Sequence, residues 1–403
     1  MKRKGNRWGI LFAAVLLAQS MAGCSAGAWK EAFSKEKETE ITIGQLLNED
    51  LPEKELEESQ TALYYGYQSL LEEEQKIYRQ FIKGLEEFQE EISLSPVSEE
   101  RLSVIVNMAM IDHPEYFWTD GAFQYWEEEW SDGSSAGMKI APTYLVSKKE
   151  AQDLKRQIEE KAEEWLETIP RETDTYGKIK AVYELLIRNV SYDENSPDNQ
   201  NIRSVFLGGK TVCMGYSKAT QYLLNKMGIF CTLVVGEIAD EENSSHAWNL
   251  VKLKNTWYHL DATFDNSLGR YGQKRFDYFN LDDKMIFKDH QPLVYKVPAC
   301  TDGGRFYYKE NRLSLTKLED VAGRFKAVLR KKQPYYVFHW RGGYLTRDVL
   351  EQIAGIASEA AREKGIRIDL EMLGKELGVP VAGTSARSGK GLDRLIRSAL
   401  SVC

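Results

Sequence analysis

Three residues of this 403-residue chain stand where thiol chemistry could be assembled. Cys213 lies in Gly208-Gly209-Lys210-Thr211-Val212-Cys213-Met214-Gly215-Tyr216, ahead of a helical run that reaches Met227 and stops at Gly228. A cysteine at the start of a helix meets unpaired backbone N–H groups and the positive end of the helix dipole, and both favour a thiolate. Alone, a cysteine in an apolar segment is more often an inert core residue. Its company changes the reading. Ser244-Ser245-His246-Ala247-Trp248-Asn249-Leu250-Val251 reads as a strand that starts on a histidine, and Lys254-Asn255 supplies a turn. Trp257-Tyr258-His259-Leu260-Asp261 is then a strand ending on an aspartate. A hairpin places His246 and Asp261 near the same end of adjacent strands. Such a histidine takes the thiol proton and later protonates a leaving amine, while the carboxylate fixes the tautomer and orientation of the ring. His259, on the same strand face as Asp261, and Asp265 are rival orienters.

These segments resemble the transglutaminase-core superfamily. The resemblance is carried by Val212-Cys213-x-Gly215-Tyr216, His246-Ala247-Trp248-Asn249 and Trp257-Tyr258-His259-Leu260-Asp261-Ala262-Thr263-Phe264-Asp265, in that order, and continues into Tyr278-Phe279-Asn280, His290 and Pro298-x-Cys300. It covers roughly residues 141–300. It implies Cys213 as nucleophile, His246 as general base and acid, Asp261 as orienter, and a structural role for His259. The reaction it implies is acyl transfer or hydrolysis: protein crosslinking, deamidation or proteolysis of a protein or peptide substrate. The Cys213 backbone N–H is a candidate oxyanion donor, and Gln200 upstream is a speculative second one. The alternative is a non-catalytic surface binding or scaffold module that keeps the fold.

The elements that must position these residues define an α+β fold. An N-terminal helical region over 60–140 begins with apolar residues at three- and four-residue spacing from Tyr64 to Phe88, and a second helix runs from Ser98 to Asp112 before His113-Pro114. His113 reads as a packed turn residue, and Ser131–Ser135 as a loop. Helices over Ser147–Ile169, closed by Pro170, and Tyr176–Asn189 lead into a transglutaminase-like (papain-like) core over 141–300, with the cysteine on a helix and the histidine and aspartate on an antiparallel sheet. A small α/β appendage follows over 301–364, with a strand at Tyr335–Trp340, where His339 is a plain strand residue, and a helix over Thr346–Glu363.

Lys2, Arg3, Lys4 and Arg7 precede an apolar run from Trp8 to Ala18, the pattern of an export signal. The run is shorter than the roughly 20 apolar residues of a membrane span. It ends at Met21-Ala22-Gly23-Cys24, which resembles the lipobox of bacterial lipoproteins; that implies a signal peptide over 1–23, lipidation of Cys24, and a chain anchored to the outer face of the cell membrane. A plain signal peptide is the alternative. In either case the leader is expected to stand outside the fold. Residues 24–59, rich in charge and poor in aromatics, form a flexible tether.

With 53 basic against 61 acidic residues the formal charge is −8, which excludes nucleic-acid binding by charge alone. The five cysteines contain no CxxC pair, and there is no HExxH or EF-hand pattern, so no metal or other cofactor is expected. A Cys231–Cys300 disulfide stays open for an exported chain.

Residues 365–403, with Thr384-Ser385-Ala386-Arg387, resemble the end of the GTP-binding domain of ferrous iron transport protein B. The phosphate-binding loop and Asn-Lys-x-Asp motif of that family are absent, and Gly391 stands where a Walker loop needs Ser or Thr. No GTP binding is expected, and the segment reads as a non-functional fusion joined to the chain near Ala360–Gly365.

Overall fold

The structure is a computed structural model that describes residues 8–12, 62–129, 132, 135–239, 245–268, 274–331 and 336–363. Cys24, the tether and the segment 365–403 lie outside the described residues. The chain divides into two units, 1–307 and 308–403.

In the first unit, strand β1 (Trp8–Phe12) precedes helices α1 (Tyr65–Ser69) and α2 (Glu72–Glu87). The single helical periodicity read from Tyr64 to Phe88 is broken at Leu70-Leu71, both extended, where the Leu71 N–H donates to Glu74 Oε2 and starts α2 afresh. The apolar spacing persists across the break because Ile77, Tyr78, Phe81 and Leu85 face one core. Strand β2 (Ile92–Leu94) leads to α3 (Glu99–Asp112), whose Ser98 hydroxyl accepts the Arg101 N–H as an N-cap. From Val104 to Asp112 α3 is buried on every side, since α1 and α2 pack on it and it also meets the main sheet.

The region expected to be helical also contains a long antiparallel hairpin, β3 (Thr119–Glu129) and β4 (Ser135–Tyr144). Phe123, Trp126, Met138 and Ile140 are its buried hydrophobic residues, while the acidic run Glu127–Glu129 gives β3 the look of a loop. The four strands order as β1-β3-β4-β2. The leader, expected to stand outside the fold, therefore supplies an edge strand, with Trp8 opposite Trp126 and Phe12 opposite Ala122. A run of β-prone residues beside an unpaired strand edge satisfies the backbone groups of both.

Helices α4 (Lys148–Glu167) and α5 (Thr175–Asn189) follow, capped by Ser147 and Asp174. Strand β5 (Ser191–Tyr192), a π-helical turn at Ser204–Gly208 and strand β6 (Lys210–Thr211) lead into α6 (Cys213–Lys226). Then come β7 (Cys231–Ile238), β8 (Ser245–Leu253), β9 (Thr256–Leu260), α7 (Ala262–Leu268), β10 (Phe279–Leu281), α8 (Asp283–Ile286) and β11 (His290–Pro292). The antiparallel sheet has the order β10-β9-β8-β7-β11, and α6 packs on β7 and β8. Lys254 takes a positive φ of 58° in the β8–β9 turn, as a two-residue hairpin connection demands.

The second unit begins within α9 (Tyr307–Glu310) and holds β12 (Ser314–Leu315), α10 (Leu318–Arg330), β13 (His339–Trp340) and α11 (Arg347–Glu363). Only the last two residues of the expected Tyr335–Trp340 strand are strand, paired parallel to β12, and Tyr335 lies outside the described residues. His339 is a strand residue whose Nδ1 lies 3.0 Å from the Ser314 hydroxyl. Among the described residues no helix is long and apolar enough to cross a membrane.

Candidate active site

Cys213 is the first residue of α6, preceded by the extended Val212, so its N–H belongs to the helix turn that has no intrahelical acceptors. The segment ahead of it is tied down by Thr211, whose hydroxyl donates to the Asn199 carbonyl at 2.7 Å and accepts from the Ser204 hydroxyl at 2.7 Å. These contacts account for the glycine of the Cys-x-Gly pattern: a Cβ on Gly215 would stand 1.8 Å from Thr211 Oγ1 and 3.0 Å from the Asn199 oxygen. The tyrosine that follows anchors the helix through its hydroxyl, which donates to the Val190 carbonyl at 2.7 Å. Next along α6, the Ser217 hydroxyl donates to the Ala247 carbonyl at 2.9 Å, and Asn249 Nδ2 donates back to the Ser217 carbonyl at 2.9 Å. The helix is thereby fixed to the strand that carries His246.

His246, near the start of β8, is 6% exposed, with Nε2 2.6 Å from Asp261 Oδ2. The Cys213 thiol lies beside the ring, close enough to act on its charge. Burial works against a charge on His246, but the Asp261 carboxylate and the thiol raise its hold on a proton above the ordinary histidine value. Asp261 follows β9 and divides its carboxylate between two tasks. Oδ1 accepts the N–H groups of Thr263 at 2.8 Å and Phe264 at 3.1 Å, capping α7, while Oδ2 faces the histidines. Burial alone would push its acidity down; the imidazoles beside it instead hold the carboxyl well below the usual range.

A second histidine reaches the same oxygen. His290, on the edge strand β11 and fully buried, places Nε2 3.0 Å from Asp261 Oδ2 and Nδ1 2.6 Å from Asp289 Oδ1. The Tyr278 hydroxyl donates to the other Asp289 oxygen at 2.5 Å. The sequence pattern includes His290 without a role for it, because nothing in local spacing shows that β11 pairs with β7 and delivers this ring to Asp261.

A thiol beside a buried imidazole that is itself hydrogen-bonded to a capped carboxylate is the arrangement used in thiol acyl transfer. The family model of the Transglutaminase-like superfamily matches residues 163–262, a segment that includes all three. The chain carries a transglutaminase-like domain.

No curated protein matches the sequence. Among solved structures, the transglutaminase-like domain is similar to a TGase at 18% identity and a TM-score of 0.25, over 32% of this chain and 41% of that one. It is similar to the arylamine N-acetyltransferase NAT3 of Bacillus cereus, described with a Cys-His-Glu catalytic triad, at 12% identity and 0.21, over 27% and 49%. It is also similar to the periplasmic domain of TgpA from Pseudomonas aeruginosa at 12% and 0.22, over 36% and 72%. This chain spans less than two thirds of the length of the first two proteins.

The rival orienters of the transglutaminase-like domain are engaged elsewhere. His259 accepts the Trp248 indole N–H on Nδ1 at 3.1 Å and donates from Nε2 to Asp283 Oδ1 at 3.0 Å; burial holds its affinity for a proton below the ordinary value, against the pull of Asp283. Asp265 accepts the N–H groups of Asp277 at 2.8 Å and Tyr278 at 3.0 Å, and lies 2.6 Å from the Tyr183 hydroxyl. His113 is a buried turn residue stacked on Tyr116 at 4.7 Å. Cys231 and Cys300 are buried free thiols, so the disulfide left open by the sequence is not formed, whereas Cys213 is partly exposed. Gln200 is half-buried and follows Asn199, whose carbonyl accepts from the Thr211 hydroxyl and the Val212 N–H.

Two groups of donors among the described residues are close enough to suggest a metal, His246-Asp261-His290 and His259-Asp283-Cys300. Neither fits one. Nitrogen–oxygen separations of 2.6 and 3.0 Å in the first are hydrogen bonds, whereas ligands around a tetrahedral zinc with bonds of about 2.1 Å stand roughly 3.3 Å apart. In the second, the Trp248 N–H occupies the His259 Nδ1 lone pair, which leaves the ring proton on Nε2, where a metal would have to bind.

Proposed function

We propose that this chain is a transglutaminase-like cysteine acyl-transferase or hydrolase in which Cys213 is the nucleophile, His246 the general base and acid, and Asp261 the orienter. The observation that carries this reading is His246, whose Nε2 stands 2.6 Å from Asp261 Oδ2 and whose ring has the Cys213 thiol beside it. His246 takes the thiol proton, and the thiolate attacks the carbonyl carbon of a glutamine side chain or a peptide bond. The oxyanion that forms faces the Cys213 N–H at the open end of α6, with Gln200 as the second donor. As the tetrahedral intermediate collapses, its carbon–nitrogen bond breaks, His246 gives its proton to the leaving amine or ammonia, and a thioester remains on Cys213. An amine or water, deprotonated by His246, then attacks the thioester. An amine acceptor gives a crosslink; water gives deamidation or proteolysis.

We infer from the export-signal pattern and the lipobox-like Met21-Ala22-Gly23-Cys24 that a lipid on Cys24 holds this chemistry at the outer face of a bacterial cell membrane, with proteins or peptides as substrates. No nucleic acid or GTP enters the reading. Removal of residues 1–23 on export would take β1 with it and free the β3 edge.

The test is a screen of the purified protein against glutamine-donor, amine-acceptor and peptide probes. Covalent trapping on Cys213 that disappears in Cys213→Ala supports the assignment, and labelling that is unchanged in the variant overturns it.

A further inference from the structure

The first unit contains a charge that the three-residue mechanism does not use. Both nitrogens of His290 face carboxylate oxygens, Asp261 Oδ2 at 3.0 Å and Asp289 Oδ1 at 2.6 Å. An ionised carboxylate only accepts hydrogen bonds, so each of these contacts requires a proton on the ring nitrogen, and a ring with two N–H groups is a cation. Asp261 is ionised because it accepts two backbone N–H groups and His246 as well. Asp289 is partly exposed and accepts the Tyr278 hydroxyl. We propose that His290, clamped by Asp289, is a fixed imidazolium that positions and neutralises Asp261 behind His246.

The proposal rests on the reading of Cys213, His246 and Asp261 as the reacting set, and it adds a counter-ion to that set. A buried carboxylate needs a compensating charge. If His246 alone supplied it, each transfer of the His246 proton to a leaving amine would leave Asp261 uncompensated. With His290 in place, Asp261 stays paired throughout the cycle, and His246 is free to lose and regain its proton.

The sheet is built for this contact. β7 lies between β8 and β11, and Gly236 pairs with His246 on one side and with Pro292 on the other. A Cβ on Gly236 would stand 2.0 Å from the Gln291 oxygen and 2.8 Å from the Trp248 ring, so this glycine lets β11 approach. The groups that face His290 are Asp261, Asp289, His246 and the hydroxyl-bearing Tyr278, with His259 near enough to feel its charge and the uncharged rings of Trp248 and Phe264 packed against it.

Two readings on the full chain test the proposal. In nitrogen-15 NMR, both ring nitrogens of His290 are expected to stay protonated from pH 6 to 9; an unprotonated nitrogen on His290 within that range overturns it. In His290→Gln, which keeps a donor toward Asp261 but removes the cation, the pH midpoint of Cys213 alkylation by iodoacetamide is expected to rise by about one unit, since losing a positive charge disfavours thiolate. In Asp289→Asn, which removes the carboxylate that clamps Nδ1, the nitrogen-15 reading is expected to show one His290 nitrogen losing its proton within that pH range. A folded His290→Gln variant, by circular dichroism, whose midpoint equals that of the native chain reduces His290 to a packing residue and overturns the proposal. The two readings fail separately: a native Cys213 that alkylates independently of His246 sinks the catalytic reading, while the NMR result still decides the charge on His290.

Discussion

The Ser217 hydroxyl donates to the Ala247 carbonyl at 2.9 Å, fastening the helix that begins at Cys213 to the strand that carries His246. Nucleophile and base come from elements that do not adjoin in sequence, and this bond with its return from Asn249 sets their alignment. Ser217→Ala leaves a buried carbonyl without its donor and is expected to cost about 1–3 kcal/mol of stability. It should also slow Cys213 alkylation. Urea unfolding together with alkylation at one pH checks both.

Gly215→Ala sets a methyl group against Thr211 Oγ1, with no flexible side chain to move away. Overpacking of this kind costs about 1–3 kcal/mol, and it falls on the turn that presents Cys213. The expected result is a lower Tm that Thr211→Ala in the same chain partly restores.

The second of these contacts is local enough to read in the sequence. A glycine two residues after a cysteine at a helix start, and a histidine and an aspartate at one end of a hairpin turned by Lys254-Asn255, are patterns that periodicity and turn chemistry expose. The hairpin β3–β4 is not such a pattern, because Glu127–Glu129 put charge on successive residues and hide the alternation. Nor is the break at Leu70-Leu71, where two helices share one apolar face. The role of His290 is hidden for another reason: β11 has three residues, and its partner β7 lies some fifty residues earlier in the chain.

The two Cys/His/Asp groups should separate by experiment. His259 braces Trp248 against Asp283 and takes no part in the proposed chemistry. His259→Leu is expected to lower stability by about 1–3 kcal/mol through the buried Trp248 N–H it leaves without an acceptor. The pH midpoint of Cys213 alkylation should not move. A shifted midpoint would place His259 in the reacting set.

Asp112, buried at the end of α3, accepts the N–H groups of Gly66 at 2.8 Å and Tyr67 at 2.7 Å and the Tyr78 hydroxyl at 3.0 Å. Burial nevertheless pushes its carboxyl up to about 6, against the pull of those donors. A carboxyl whose folded value lies above its unfolded one contributes stability at low pH and loses it as pH rises through the folded value. The advantage of the native chain over Asp112→Asn, which does not titrate, should therefore shrink between about pH 4 and 7, by about 2–3 kcal/mol. Urea unfolding of both proteins across this range measures it; an advantage that grows with pH would show that the donors outweigh burial.

The central claim is that His246 activates Cys213. The direct measurement is the rate of Cys213 alkylation by iodoacetamide at pH 7, followed by peptide mass spectrometry, in the native chain and in His246→Ala. The account predicts that Cys213 of the native chain reacts ahead of the buried Cys231 and Cys300, and at least about tenfold faster than in the variant. Equal rates in the two proteins would contradict it.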